Sequence, residues 1–377
     1  MSFFSNVLIN RSLGIELRGQ YTTIVNYANF LQLVLNLGIC YTYPSIKKER
    51  GEVYTRELIS TIIWLQTFFL ILGLVIAIVN NPSYNIIFIF ILSIALITNN
   101  QLNFIALLDD IKRRNILLLS STCLYILMNF LAILFFPGNL YIVIILLVIK
   151  YIYEVISICI SYKYCVFNLS IINRKIIMNI LKNGIPMAIL SILISCNYNI
   201  DIFMLNWMKS GDIEIGIYGV AYSLTNILWI FPDAFKEMVY HKTTTNSNYF
   251  IVIKYIIINI IFNICICIGF LILGTWFLNI VYGEQYIIAF KVTLILFFGV
   301  IPMIAFKLIH PIYVNNGKAK IIIYLLSISV IVNIISSWIL IPNWGAFGAA
   351  TASVISYTIC GILFFVKFYY DFCLYKK

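Results

Sequence analysis

Charge is what this chain has least of. Only 14 of its 377 residues are Asp or Glu and two are His; charged residues together make up 10% against 62% hydrophobic, with a mean hydropathy of +1.00. So little polar surface cannot cover a soluble globule, which places the chain in a bilayer. Other absences narrow the function. There is no Gly-x-x-x-x-Gly-Lys-Ser/Thr phosphate loop, and Gly317-Lys318 lacks the upstream glycine, so an ion gradient or consumption of the product must supply the energy for any uphill work. The nine cysteines include Cys265-Ile-Cys267, but without a second pair or neighbouring histidines they make no zinc site and read as small core residues. His241 and His310 have no Cys, Ser or paired carboxylate at a catalytic spacing. No cleavable signal peptide opens the chain.

What is present is apolar length. A membrane-crossing helix takes about 20 mostly apolar residues. Eleven stretches qualify: Tyr21–Ser45, Leu58–Asn80, Asn85–Leu108, Ile116–Phe136, Leu140–Tyr162, Gly184–Trp207, Ile215–Phe235, Phe250–Ile280, Ile287–Ile309, Ile321–Pro342 and Gly345–Phe368. The connections are short, so no soluble domain interrupts them. Cytoplasmic loops collect Lys and Arg, and one orientation puts 19 of the 25 basic residues inside, with Arg11, Arg18 and Lys209 outside and Lys150, Lys291 and Lys307 within spans. The C-terminus is then cytoplasmic. The net charge of +11 is a topology signal and no nucleic-acid patch, because the basic residues are divided among separate loops.

One block occurs twice. Gly14-Ile-Glu-Leu-Arg-Gly19-Gln-Tyr21 returns 197 residues later as Gly211-Asp-Ile-Glu-Ile-Gly216-Ile-Tyr218, and each tyrosine opens an apolar span with an asparagine eight residues on, Asn29 and Asn226. Membrane transporters are often built from two such repeats around a substrate site. The expected organisation is an N-terminal lobe over 1–165, an amphipathic linker on the inner membrane surface over 166–183, and a C-terminal lobe of six spans over 184–377. A full span precedes the second copy of the block but not the first. Met1–Leu13 therefore reads as the outer end of a helix whose beginning is absent, and the expected design is a twelve-helix fold lacking most of helix one.

The pattern resembles the oligosaccharide flippases of O-antigen (lipopolysaccharide) and capsule synthesis, polysaccharide biosynthesis proteins of the superfamily that also holds multidrug exporters and the peptidoglycan precursor flippase. The matching pieces are Leu13-Gly14 to Gly19-Gln-Tyr21, Asn36-Leu-Gly38, Gly184-Ile-Pro186, Asp201, Gly216-Ile-Tyr218-Gly-Val-Ala221, Phe231-Pro232, Tyr282-Gly283-Glu284-Gln-Tyr286 and Gly345-Ala-Phe-Gly348-Ala-Ala350, in order along nearly the whole chain. The resemblance implies an all-α integral membrane fold of two pseudo-symmetric lobes around a central cavity, in the bacterial inner membrane. It also implies a flippase moving undecaprenyl-diphosphate-linked oligosaccharide, without a bound cofactor and coupled to H+ or Na+, beside a polymerase and a chain-length regulator of the same pathway.

Candidate residues are the polar groups that membrane burial penalises, at roughly 2.5 to 3.5 kcal/mol for a central charge on insertion scales. Lys150 and Glu154, four apart on one helix face, could pair and pin helices, or Lys150 could contact a diphosphate. Lys307 could snorkel or line a cavity; Lys291, near the outer edge, suits an interfacial anchor. Asp201 could hold a coupling cation or proton, orient sugar hydroxyls or bond a neighbouring helix. Asn29 and Asn226 suit hydrogen bonds between helices. Pro186, Pro232 and Pro302 lie within spans, where they would bend or break helices.

Two other classes compete. An O-antigen polymerase or membrane glycosyltransferase would present catalytic acids in a sizeable outer loop, whereas the only adjacent carboxylates, Asp109-Asp110, adjoin Lys112-Arg113-Arg114 and fall on the cytoplasmic side. The chain is therefore read as no enzyme. A multidrug exporter would share the fold, with paired acids in place of lysines.

Overall fold

A computed structural model describes residues 3–36, 58–73, 75, 84–162, 174–245 and 250–374. No strand occurs among them. Ile-rich sequences are indifferent helix formers in water, but in hydrocarbon every backbone group must be satisfied within its own segment, which imposes the helix. The helices are α1 (Phe3–Leu35), α2 (Leu58–Gly73), α3 (Tyr84–Asp109), α4 (Ile111–Phe135), α5 (Leu140–Tyr162), α6 (Arg174–Trp207), α7 (Asp212–Leu228), α8 (Ile230–Thr245), α9 (Phe250–Tyr282), α10 (Ala289–Asn315) and α11 (Ala319–Phe368). Eight helical stretches among the described residues are long and apolar enough to cross a membrane.

Boundaries follow local chemistry. Asp110 separates α3 from α4: its Oδ1 accepts the Arg113 N–H at 3.2 Å, and its carbonyl accepts the Tyr162 hydroxyl at 2.6 Å. Two expected spans lie on α11, which kinks at Gly345 (φ 51°). There the Ala346 N–H, freed where the helix restarts, donates to Glu214 Oε2 at 2.6 Å. Near Pro232 the chain breaks between α7 and α8, but α10 runs helical through Pro302 and Pro311. A proline removes one N–H donor, and packing from neighbouring helices makes that tolerable; Gly361 of α11 lies directly against the Pro302 carbonyl. Residues 166–173 of the expected linker lie outside the described residues, as do 37–45 and 76–80 of two expected spans; 174–183 are the first turns of α6, continuous to Trp207.

The chain divides into two compact units. The first comprises Met1–Leu13 and Ile24–Ile192, the second Gly14–Thr23 and Leu193–Lys377. In the first, Leu58, Ile59 and Ile62 of α2 pack with Leu102, Ile105 and Ala106 of α3 and Ile158 of α5. Its α4 has only 17% of its apolar window buried and turns Ile116, Leu119, Leu127 and Leu134 outward. In the second, α10 and the stretch Asp212–Lys236, which begins with α7, are the most buried, and α7 buries Ile215, Tyr218, Val220, Ala221 and Leu224.

The two copies of the repeated block meet within the second unit. α1 breaks at Gly14 (φ 70°), a conformation that glycine adopts without penalty. The following segment then lies so close to α7 that a Cβ on Gly19 would overlap the Asp212 carbonyl oxygen, and one on Gly216 the Ile15 carbonyl oxygen. These contacts are reciprocal under the 197-residue offset, since Ile15 corresponds to Asp212 and Gly19 to Gly216. Thr22 and Gly219, themselves corresponding positions, touch each other. The motif glycines thus serve close helix packing, the main source of association where lipid removes the hydrophobic drive.

Candidate functional site

Asp201 of α6 is fully buried in the second unit and is held by hydroxyls. Ser353 Oγ donates to its Oδ2 at 2.6 Å, Tyr218 Oη to the same oxygen at 2.9 Å, and Ser337 Oγ lies 3.5 Å from Oδ1. Ser337 also donates to Asn333 Oδ1 at 3.0 Å. One turn away on α6, Asn197 Oδ1 accepts Ser329 Oγ at 2.7 Å and Ser356 Oγ at 3.2 Å. The small residues come at helical spacing from both sides of the Gly345 kink, so the bend in α11 brings Ser337 and Ser353 to Asp201 and Ser329 and Ser356 to Asn197. No Lys or Arg pairs with Asp201 among the described residues. An all-oxygen donor set around one carboxylate suits a proton or a hard monovalent cation.

Lys307 of α10 is buried and paired: its Nζ lies 2.8 Å from Asp233 Oδ2 of α8. The ammonium also sits 4.6 Å from the Trp229 ring centroid and 5.7 Å from that of Tyr198, and these rings meet Tyr357 edge-on. Its partner Asp233 has half its side chain exposed. The lysine is therefore a fixed cation whose counterion faces outward.

In the first unit Lys150 and Glu154 form the expected pair at 3.4 Å, both buried. Ser121 of α4 donates to Glu154 Oε1 at 2.5 Å, and the ammonium lies 4.9 Å from the Tyr151 ring and 5.7 Å from that of Tyr125. The pair ties α5 to α4. Lys291 is exposed at the start of α10; Asn29 is half-buried in the first unit and Asn226 exposed in the second, close to the Tyr222 hydroxyl.

Several groups escaped the sequence reading. Asp233, the partner of Lys307, lies beside Pro232, a residue singled out only as a kink. The first unit also contains a chain of carboxamides: Gln66 Nε2 donates to Gln101 Oε1 (3.2 Å), Gln101 Nε2 to Asn36 Oδ1 (2.8 Å), and Asn100 Nδ2 to Gln32 Oε1 (2.9 Å). The run Asn99-Asn100-Gln101-x-Asn103 inside an apolar span was the available signal.

Helices of this length, with buried polar clusters and no strand among the described residues, define a multi-pass membrane protein, and its fold is that of known transporters. A multidrug resistance MATE family transporter of the MOP superfamily in an inward-facing conformation is similar over 99% of this chain and 94% of its own, at a TM-score of 0.73 and 14% identity. The lipid II flippase MurJ in an inward closed conformation is similar over 97% of this chain and 84% of its own, at 0.74 and 17%. A MOP superfamily transporter from Pyrococcus furiosus is similar over 98% and 91%, at 0.51 and 16%. No curated protein sequence matches. The family described as "Polysaccharide biosynthesis protein" matches residues 1–231, and the chain belongs to that family.

Proposed function

We propose that this protein is a flippase carrying undecaprenyl-diphosphate-linked oligosaccharide repeat units from the cytoplasmic to the periplasmic leaflet of the bacterial inner membrane, by alternating access. The observation that carries this reading is the coincidence of a polysaccharide biosynthesis family with a transporter fold. A lipid-linked sugar can leave its tail in hydrocarbon, but its diphosphate and hydroxyls need a polar path across about 30 Å. The carboxamides Gln32, Gln66, Asn100 and Gln101 offer neutral donors and acceptors suited to hydroxyls, and Lys307 offers a cation to the diphosphate. Asp201 is the coupling group, exchanging a proton or Na+ between its hydroxyl partners. Lys150 and Glu154 serve as a structural pair, and Lys291, Asn29 and Asn226 as anchors and helix contacts. The delivered unit would pass to a polymerase and a chain-length regulator, with the C-terminus on the cytoplasmic side.

The test is reconstitution of the full chain into vesicles containing the lipid-linked oligosaccharide, probed with a membrane-impermeant sugar-modifying enzyme. The accessible fraction should rise from about half toward completion in protein-containing vesicles. Accessibility equal to that of empty vesicles sinks the reading. Lengthening of the lipid-linked sugar would favour the polymerase class, and export of cationic dyes with no sugar movement the multidrug class.

A further inference from the structure

Arg18 is the least explained charge in the second unit. It is only 4% exposed, yet among the described residues it forms no ion pair. Its Nη2 donates to Ser223 Oγ at 3.0 Å, and that hydroxyl in turn donates a hydrogen bond to the Gly219 carbonyl at 2.7 Å. The guanidinium carbon stands 5.0 Å from the Tyr21 ring centroid. Nε and Nη1 are buried without an acceptor. A guanidinium stays protonated in any protein environment, so this is a buried positive charge with most of its donors unused.

The nearby acids do not answer it. Asp212 accepts Gln20 Nε2 at 2.9 Å, and Glu214 accepts the Ala346 N–H at 2.6 Å. Packing does not require a cation at this position either. The residue that corresponds to Arg18 under the 197-residue offset is Ile215, an apolar side chain buried to 2% exposure in the same reciprocal crossing. The charge also reaches the aromatic residues that close this end of the unit. Burial pushes the Tyr286 hydroxyl up, against a downward pull from Arg18, to about 12. Tyr286 and Tyr282, both almost fully buried, thus lie within electrostatic reach of the guanidinium.

A planar fork with free N–H groups, set among aromatic rings, matches an oxyanion that can be bound by two parallel hydrogen bonds. Asp212 and Glu214 are engaged elsewhere and no described carboxylate forms an ion pair with Arg18, which leaves the fork open to an anion from outside the described residues. The second unit carries its other buried cation, Lys307, against the ring of Trp229 at the C-terminal end of α7, six residues beyond Ser223 or roughly 9 Å along the helix. The two cations therefore both lie along the C-terminal half of α7.

We propose that Arg18, supported by Ser223, is a docking point for a phosphate-class oxyanion beside the C-terminal half of α7 in the second unit. Resting on the flippase reading, its occupant is the diphosphate of the lipid-linked sugar within the passage. The chemistry is shared by three sources: a polyprenyl diphosphate, an anionic phospholipid headgroup and free pyrophosphate.

Binding to the purified full chain in phosphatidylcholine nanodiscs separates them, using undecaprenyl diphosphate, undecaprenol, phosphatidylglycerol and inorganic pyrophosphate as probes and native mass spectrometry as readout. We expect Arg18→Gln to weaken undecaprenyl diphosphate binding by roughly tenfold or more, Ser223→Ala by less, and Arg18→Lys to retain part of it, while undecaprenol binding is unchanged. An Arg18-dependent loss of phosphatidylglycerol or pyrophosphate binding also supports the oxyanion site and assigns those sources to it. Equal binding of all phosphate probes by folded wild type and Arg18→Gln overturns the site. Should Arg18→Gln fail to fold, Ser223→Ala and Arg18→Lys carry the test, and unchanged phosphate binding in both overturns it equally. Sugar-lipid flipping in vesicles keeps the two readings apart. Wild-type flipping that Arg18→Lys and Ser223→Ala leave unaltered, with unaltered binding, removes the Arg18 site alone; Arg18-dependent binding without any wild-type flipping removes the flippase reading alone.

Discussion

Gly216 lies against the Ile15 carbonyl with no room for a side chain, and its counterpart Gly19 lies in the same way against Asp212. A repeated sequence block has here folded back upon its own copy, each glycine making room for the backbone that opens the other. The crossing fixes α7, which begins one of the two most buried stretches of the second unit, and α7 in turn carries Tyr218 to Asp201.

Adding a methyl group at that crossing should be costly. Gly216→Ala forces a Cβ into a backbone oxygen that cannot rotate away, so we expect about 1–3 kcal/mol of destabilisation. Thermal unfolding in detergent should show a lower midpoint for Gly216→Ala and Gly19→Ala, and no drop for Gly269→Ala, which lies inside α9 where a Cβ would meet nothing within 4 Å.

The Lys150–Glu154 pair calls for a double-mutant cycle. Removing one partner leaves an unmatched buried charge, expected to cost about 3–5 kcal/mol. Lys150→Met combined with Glu154→Gln should be milder than either single change, and sugar-lipid flipping by the double variant should persist. Loss of flipping with an intact fold would instead make Lys150 a substrate contact.

Asp201 is accessible to a near-isosteric exchange. Asp201→Asn keeps the shape and can still accept Ser353 and Tyr218 but cannot carry the negative charge that a coupling cation requires. Transport should lose its dependence on the ion or pH gradient while expression and melting temperature stay close to wild type. A variant that remains gradient-dependent would sink the coupling role.

Lys307 and Asp233 should differ in effect. Asp233→Asn leaves the buried Lys307 ammonium with a neutral partner and should destabilise, but by less than the single changes at Lys150 and Glu154 because Asp233 is half exposed, whereas Lys307→Met strips the buried cation from the Trp229–Tyr198 rings. If Lys307 meets the diphosphate, Lys307→Met should weaken undecaprenyl diphosphate binding while Asp233→Asn leaves it unchanged or strengthens it.

Much of this architecture was legible as pattern. Leu140–Tyr162 is the same segment in sequence and in structure, because hydrocarbon leaves an apolar run of that length no option but the helix. The spacing of Lys150 and Glu154 placed them on one helix face, and the pair is found there. Asp201 drew attention for its cost in the membrane. None of these inferences needed a distant part of the chain.

Pattern failed wherever the answer depended on residues far apart. Asp233 and Lys307 are 74 positions apart, and Asp201 and Ser353 are 152 apart. A serine at helical spacing in an apolar span looks the same whether it bonds its own helix or a remote carboxylate. Glu214 looked like part of a loop motif, and only the kink at Gly345 gave it an amide to cap. By itself the sequence determined which segments are helical and apolar and that a block is repeated, since those depend on local composition and on the solvent. Which polar side chains meet was decided by the tertiary structure, because helix crossings and kinks set contacts between helices, and in lipid close packing rather than apolarity selects the crossings.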